Sequence, residues 1–303
     1  MPISENKDTH FKSGFVAIAG ASNVGKSTLL NRILGQKISI TSDKPQTTRH
    51  RILGIFNRPA AQFVFLDTPG IHAAKGKLHL KIVEAALGAV ADADLILFLC
   101  DVSISDSVSE KMILTTLKKQ SRPVILALNK IDCIQKPPLL KIIAKWADRF
   151  PFEAIIPISA KTGAQVETLL GAIQKHLPQS PPLFPPETLT DLSERFIAAE
   201  IIREKIFRLT GQEIPYATAV TIDQFEEDIG GKLVRIFASI HLERNSQKGI
   251  VIGKKGLKLR TIGESARRDI EKMLGTRVFL KLFVRVQKNW SKDTKAIRKF
   301  GYE

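Results

Sequence analysis

The sequence predicts an α/β protein in two parts: a domain with a mostly parallel sheet and helices on both faces, then a smaller α/β domain. Three observations carry this prediction. Strand-like and helix-like segments alternate over residues 12–177, five prolines fall within residues 178–186, and the order of elements changes after them. With 303 residues and 44% hydrophobic composition, the chain is long enough to bury two cores.

The elements of the first domain follow from apolar runs and helical periodicity. Strands are expected at 14–19, 51–57, 61–66, 95–100, 123–128 and 154–158, and helices at 26–34, 78–89, 107–119, 138–149 and 164–176. The second domain is expected in the order α-β-β-α-α-β, at 192–209, 216–226, 232–242, around 248–251, 257–274 and 277–287. We therefore divide the chain into an N-terminal tail (1–11), a first domain (12–177), a Pro-rich linker (178–190), a second domain (191–287) and a basic C-terminal tail (288–303).

Positive charge is concentrated near the C-terminus. The net charge of the chain is +16, and residues 241–300 carry 17 basic and five acidic side chains, or +12 of it. Such concentration points to a polyanionic partner. Two cysteines exclude a disulfide framework and suit a reducing cytosol, and no apolar stretch is long enough for a transmembrane helix.

An octapeptide after the first strand has the phosphate-loop pattern G-x-x-x-x-G-K-[ST]. Its residues are Gly20, Ala21, Ser22, Asn23, Val24, Gly25, Lys26 and Ser27. The glycines let consecutive N–H groups face phosphate oxygens. Lys26 is expected to reach the β- and γ-phosphates, and the Ser27 hydroxyl is expected to ligate Mg²⁺. The helix that follows places these phosphates at its N-terminus.

A second motif follows the third strand and consists of Asp67, Thr68, Pro69 and Gly70. A carboxylate at a strand end beside a phosphate loop is where a Mg²⁺ partner is needed. The Gly70 N–H is expected to reach a γ-phosphate, because glycine permits close approach.

Two further motifs predict recognition of guanine. The first follows the fifth strand and contains Asn129, Lys130 and Asp132; the second follows the sixth and contains Ser159, Ala160 and Lys161. The Asp132 carboxylate can accept from guanine N1–H and the 2-amino group, which adenine cannot match. Asn129 is expected to brace the base or the phosphate loop, and the Ala160 N–H to meet guanine O6. Four ordered motifs, each at a strand end, indicate a P-loop GTPase domain that binds GTP or GDP with Mg²⁺.

A loop between the first two motifs contains two threonines, and one of them is expected to ligate Mg²⁺ only when a γ-phosphate is present. We choose Thr48, with Thr47 as the alternative. The residue after Gly70 is Ile71, which cannot orient a water molecule by hydrogen bonding, so slow hydrolysis is expected. Asn23 resembles the asparagine of GTPases that recruit K⁺ in place of an arginine finger.

The C-terminal half contains an I-G-x-x-G element that resembles the loop of a type II KH domain. Its residues are Ile252, Gly253, Lys254, Lys255 and Gly256, with Lys258 and Arg260 beyond it. In KH domains this tight loop between two helices lets single-stranded RNA approach closely and clamps about four nucleotides. The lysines add charge that neutralises phosphates.

A P-loop GTPase domain followed by a KH domain resembles the Era family over nearly the whole chain. This resemblance rests also on residues 46–52, 189–196 and 199–204 and on the C-terminal residues Asn289, Trp290, Phe300, Gly301 and Tyr302. One departure is Ala21-Ser22, where that family usually carries Arg-Pro. The resemblance implies binding to the 3′ end of small-subunit ribosomal RNA, a role in 30S assembly, and peripheral contact with the cytoplasmic side of the cell membrane.

We expect a cytoplasmic monomer that hydrolyses GTP. Two alternatives belong to other classes: an RNA-binding adaptor gated by nucleotide without significant turnover, and a GTPase that works at a membrane surface through its basic tail.

Overall fold

The computed structural model describes residues 11–42, 44, 47–70, 88, 92–104, 107–211, 214 and 218–300. The predicted helix at 78–89, apart from Gly88, and the residues Gln46, Ile71, Gly301 and Tyr302 lie outside this part. The chain divides into two compact units. Unit 1 holds the described residues up to Gly35 and from Arg51 to Asp191, and unit 2 holds Gln36–His50 and the chain from Leu192 onward.

Unit 1 is built on a six-stranded sheet in the order β2-β3-β1-β4-β5-β6, in which only the β2–β3 pair is antiparallel. Its strands are β1 (Lys12–Gly20), β2 (Ile52–Arg58), β3 (Ala61–Asp67), β4 (Leu95–Asp101), β5 (Val124–Asn129) and β6 (Ala154–Pro157). The central strands are buried almost throughout, as expected for a parallel sheet covered on both faces. Together with the second unit, this confirms the predicted fold class.

Four helices of unit 1 lie in the described part: α1 (Lys26–Leu34), α2 (Ser107–Leu117), α3 (Lys136–Ala147) and α4 (Val166–His176). Side chains of α2 and α3 pack on one face of the sheet, where Phe98 lies edge-on to Trp146 at 5.6 Å between ring centroids. The parallel arrangement brings the carboxyl ends of β1, β4 and β5 to one edge, so the loops that follow them lie close together.

The Pro-rich segment lies along the β2–β3 side of the sheet. The side-chain oxygen of Gln62 accepts from the N–H groups of Leu183 and Phe184, at 2.7 and 2.9 Å, and the Ile55 N–H donates to Leu189 O. The edge strand β2 therefore has backbone partners on both sides, which protects it from pairing with another chain. The segment belongs to unit 1, and the exact limits of the predicted linker stay a prediction.

Unit 2 contains a three-stranded sheet in the order β7-β8-β9, antiparallel in its first pair and parallel in its second. Its elements are α5 (Glu194–Leu209), β7 (Ala219–Glu227), β8 (Leu233–Leu242), α6 (Asn245–Ile252), α7 (Leu257–Leu274) and β9 (Arg277–Val286). Helices α5 and α7 pack against each other, and the buried face of β8 and the apolar stripe of α7 form the core. The order α-β-β-α-α-β agrees with the sequence analysis.

The segment that the sequence analysis treats as a tail is folded over much of its length. A short 3₁₀ turn at Trp290–Lys292 precedes α8 (Thr294–Lys299). Trp290 is fully buried, and its ring lies edge-on to Phe300 at 5.1 Å, while Phe300 lies 4.6 Å from His241 of β8. These rings cover one end of the outer face of the β7–β8–β9 sheet.

Among the described helices, none combines the length and the hydrophobicity that a membrane span requires.

Candidate functional site

The phosphate loop is shaped by two glycines that tolerate no side chain. Gly25 has φ +100°, and a Cβ there would lie 2.4 Å from Asn129 Nδ2. A Cβ on Gly20 would lie 2.6 Å from Leu99 O. Both positions therefore need glycine, the first also because of its left-handed backbone.

Lys26 stands at the start of α1 and is buried. Its ammonium donates to Gly20 O at 3.0 Å and to Ala21 O at 2.8 Å. Burial lowers the pKa of Lys26 to about 8, and the nearby Asp67 carboxylate opposes that shift. The lysine is thus held within the loop by carbonyls, in a place where phosphate oxygens are its natural counter-charge.

Ser27 and Asp67 form a pair of oxygen ligands at the same end of the sheet. The Ser27 hydroxyl donates to Asp67 Oδ2 at 2.7 Å, and Asp67 is fully buried. Thr68 fixes the following turn by donating to Ile18 O at 2.8 Å. A Cβ on Gly70 would lie 2.5 Å from Ser22 Oγ and 2.8 Å from Ser22 N, so this turn passes directly beside the phosphate loop.

Asn129 connects three loops through its side chain. Its amide nitrogen donates to Val24 O at 2.7 Å, and its amide oxygen accepts from the Ala160 N–H at 2.9 Å. Asn129 therefore braces the phosphate loop. The Ala160 N–H, which the sequence analysis offers to guanine O6, is engaged by Asn129 in this structure.

The candidate base-recognition residues are held by neighbours on other loops. A hydrogen bond from Ser159 lowers the pKa of the Asp132 carboxyl, so this exposed group stays charged and ready to accept from guanine. Lys130 has left-handed backbone, and its ammonium lies 2.5 Å from Asp101 Oδ2. This ion pair directs the lysine stem across the end of β4 and β5.

Two residues of this site escaped the sequence analysis. Arg32 of α1 donates through Nε to Ala160 O at 3.3 Å and through Nη2 to Lys161 O, which ties the last loop to the phosphate-loop helix. Asp101 fixes Lys130, as described above. A basic residue in the last turn of α1 and an acidic one at the end of β4 are ordinary features of a sequence, so nothing local marks them.

The two candidate switch threonines lie in the Gln36–His50 segment, which belongs to unit 2. Thr47 and Thr48 are both buried. The Thr47 hydroxyl donates to Lys44 O at 2.6 Å, and Thr47 O accepts from Arg203 Nη2 of α5 at 2.5 Å. Which threonine ligates Mg²⁺ stays a prediction.

The G-x-x-G loop lies between α6 and α7 as a 3₁₀ turn. Gly253 has φ +70° and ψ 178°, and a Cβ there would lie 2.7 Å from Lys258 Cβ. Lys254 and Lys255 are exposed. An open groove begins at Gly256 and runs between α7 and the edge strand β9, past Leu259, Gly263, Leu280 and Leu282. On its rim, Arg260 forms an ion pair with Glu264 at 2.8 Å.

Family models match both units. The model described as a 50S ribosome-binding GTPase matches residues 15–130, and the KH domain model matches residues 213–291. A curated relative named GTPase Era from Geobacter metallireducens is 56% identical, and the match covers 97% of this chain and 99% of the relative. A second GTPase Era, from Geotalea uraniireducens, is 55% identical, and the match covers 98% of this chain and 99% of the relative.

The chain belongs to the Era family.

Solved Era structures extend the likeness to the whole fold. The structure of a point variant of Aquifex aeolicus Era bound to GDP·AlF₄⁻ has a TM-score of 0.93 and 41% identity, covering 96% of this chain and 99% of that one. The structure of Era in complex with MgGDPNP and nucleotides 1506–1542 of 16S ribosomal RNA has a TM-score of 0.91 and 42% identity, covering 97% and 99%. The chain is therefore a GTPase with a C-terminal KH domain, as the motifs predicted.

Replacing Asp132 with Asn should change the base preference of the Era-family site. An amide donates where the xanthine 2-carbonyl accepts, so GTP affinity should fall by at least about 100-fold while xanthosine triphosphate binding improves. Fluorescent-nucleotide titration measures both. Asp148→Asn is the matched control, because Asp148 ends α3 outside the motifs. An unchanged GTP preference in Asp132→Asn would remove this residue from base recognition.

Proposed function

We propose that this GTPase binds the 3′ end of small-subunit ribosomal RNA through its KH domain, and that the bound nucleotide controls this binding during 30S assembly. The observation that carries the proposal is the likeness to the Era structure solved with 16S nucleotides 1506–1542. The G-x-x-G loop supports it, since the loop has the backbone that only glycine at position 253 adopts without strain and opens on a groove beside β9.

Mg²⁺ is the proposed ion of the nucleotide site. Ser27 and Asp67 would hold it, because a hydroxyl and a fully buried carboxylate 2.7 Å apart suit a hard cation. Thr48 is the proposed third ligand in the GTP state. When bound, the ion would supply positive charge to the phosphates of the nucleotide, and Lys26 would add a second cation there.

K⁺ is proposed as an additional activator near Asn23. Asn23 is exposed and has φ +63°, a left-handed conformation that asparagine tolerates better than most residues. Hydrolysis should be faster in K⁺ than in Na⁺ at equal ionic strength. Equal single-turnover rates in the two salts would contradict the idea.

Nucleotide control of RNA binding is supported by the Gln36–His50 segment. This segment joins α1 of the phosphate-loop region to β2, yet it packs in unit 2 with α5, the helix that also packs on α7 of the RNA-binding groove. If GTP binding moves Thr47 or Thr48, the contacts between this segment and α5 therefore change as well. By linkage, RNA that alters α5 must alter nucleotide affinity in return.

The contacts between the segment and α5 are charged and at least partly buried. Fully buried Glu204 accepts from Thr41 N at 3.1 Å and from the Lys37 ammonium, which lies 2.9 Å from Asp269 of α7. Lys44 donates to the carbonyls of Phe207 and Thr210 at the C-terminal end of α5, where a cation is favoured. These contacts define one geometry, because breaking only some of them would leave a buried charge without its partner at a cost in free energy.

A cytoplasmic monomer with peripheral membrane contact remains part of this proposal, and liposome binding in competition with RNA tests the membrane component.

Gly253→Ala tests the RNA site without adding charge. The new Cβ would meet Lys258 Cβ at 2.7 Å in a backbone conformation that alanine avoids, so the loop must shift and RNA affinity should fall by about ten-fold or more. Gly249→Ala is the matched control, since Gly249 lies on α6 with open space around its Cβ position. Wild-type affinity for a 16S 3′-end oligonucleotide in Gly253→Ala, measured by anisotropy, would contradict the assignment.

Lys44→Met tests the coupling. The change keeps the aliphatic stem but removes the bonds to α5, and it leaves no buried carboxylate unpaired. In the wild type we expect GTP-analogue and GDP states to differ in RNA affinity by a coupling of about 1–3 kcal/mol. In Lys44→Met that difference should shrink towards zero, whereas the exposed control Lys118→Met should keep it. If Lys44→Met kept the wild-type difference in RNA affinity between the two nucleotide states, coupling through the contacts of Lys44 with α5 would be ruled out.

A further inference from the structure

The outer face of the unit 2 sheet carries exposed aromatic rings. On β9 the residues that point away from the helices are all exposed: Arg277, Phe279, Lys281, Phe283 and Arg285. Phe279 is 48% exposed and Phe283 is 38% exposed. The outer face of an antiparallel or mixed sheet is ordinarily polar when it meets water, so this composition calls for a partner.

The strand register groups three rings on this face. Phe237 of β8 lies opposite Lys281, Phe279 lies opposite Arg235, and Phe283 lies opposite Ser239. The Phe237 and Phe279 rings are 6.1 Å apart, and the Lys281 ammonium lies 5.4 Å from the centre of the Phe283 ring. The result is a shallow aromatic surface with cations between the rings. We call Phe237, Phe279, Lys281 and Phe283 the sheet platform.

The charge around the platform favours an anion on its β9 side. Glu226 lies opposite Arg235, and Asp223 lies 3.7 Å from Arg285, so these two arginines have nearby carboxylates. Arg277 and Lys281 have no carboxylate within 4.0 Å in the part of the chain that the structure describes. Rings that can stack on bases, together with cations that can meet phosphates, are the combination by which proteins hold single-stranded nucleic acid.

The platform adjoins the proposed RNA groove through one strand. Leu280 and Leu282 of β9 line the groove on the helix side, and the residues that alternate with them form the platform on the other side. Among the described residues β9 pairs only with β8, so its outer edge separates two surfaces of similar chemistry. A strand of RNA leaving the groove needs to cross only this edge to reach the rings.

We propose that the sheet platform is a second contact surface for single-stranded RNA, on which bases beyond those in the G-x-x-G groove stack. The proposal rests on the proposed function, because it requires that the KH domain binds RNA. A KH groove holds about four nucleotides, and the RNA in the related Era complex spans nucleotides 1506–1542. The platform provides a binding surface for some of the nucleotides that the groove does not hold. It would recognise unpaired bases in general rather than one sequence.

The test compares two RNA lengths on the full-length protein. A four-nucleotide oligomer fills the groove alone, and a twelve-nucleotide oligomer of the 16S 3′ end can also reach the platform. Phe279→Leu/Phe283→Leu keeps apolar, strand-compatible side chains but removes the rings. We expect this variant to bind the longer oligomer at least about ten-fold more weakly, because it loses the stacking energy of about one base. Its affinity for the shorter oligomer should equal that of the wild type. Phe279→Tyr/Phe283→Tyr should restore the wild-type affinity.

Ile229→Ser is the matched control, because Ile229 is fully exposed in the turn between β7 and β8 of the same sheet and carries no ring. If the leucine variant binds both oligomers as the wild type does, or loses both equally, the platform is not an RNA surface. If the leucine changes weaken flotation with phosphatidylglycerol vesicles and leave RNA binding intact, the face contacts lipid and the proposal is wrong. A wild type that binds neither oligomer would instead overturn the proposed function.

Discussion

Two buried carboxylates of α5 constrain the packing of unit 2 around this helix. Glu200 forms an ion pair with Arg203, which lies 4.9 Å from the Phe207 ring, and Glu204 accepts from the Gln36–His50 segment. Burial works against the charged form of both groups, but the cations around them outweigh it and lower the pKa of each. A buried ion pair of this kind gains little over apolar packing, yet it defines one geometry, because removing a single partner leaves a buried charge.

That constraint explains why α5 is buried on almost every side. Its apolar stripe faces the sheet and α7, and its charged side is covered by a segment whose two ends both continue into unit 1. The same backbone stretch therefore serves two purposes. It contains the threonines offered to Mg²⁺, and it supplies the counter-charges and carbonyls that α5 needs in order to be buried.

The nucleotide motifs could be predicted from the sequence because their residue types and spacing are dictated by phosphate and base chemistry. The strand-end positions followed from apolar runs, and Gly20 and Gly25 are indeed sites where a side chain does not fit. The cross-bonds between loops could not be predicted. Asn129 was expected to brace either the base or the phosphate loop, and only the fold reveals that it also engages the Ala160 N–H.

In unit 2 the sequence predicts a helix at 192–209, and the structure buries charged residues of that helix such as Lys205. A charged residue on a helix normally indicates a helix face that contacts solvent. The partner of Lys205, Asp269, lies 64 residues away in the sequence, so no local pattern reveals it. The sequence likewise predicts a linker in the Pro-rich segment, because proline continues neither a helix nor a central strand, and a basic tail around Trp290. The side chains that help to dock them include Gln62 and Trp290, which carry no local signal.

We propose that the Gln36–His50 segment transmits the nucleotide state to α5. Amide hydrogen exchange of peptides covering Lys37–Thr41, Thr47–Arg49 and the last turn of α5 tests it most directly, in the wild-type protein saturated with GDP or with a non-hydrolysable GTP analogue. Protection of the segment and of the end of α5 should change together when one nucleotide replaces the other. A change confined to the segment, with α5 exchanging identically in both states, would contradict it.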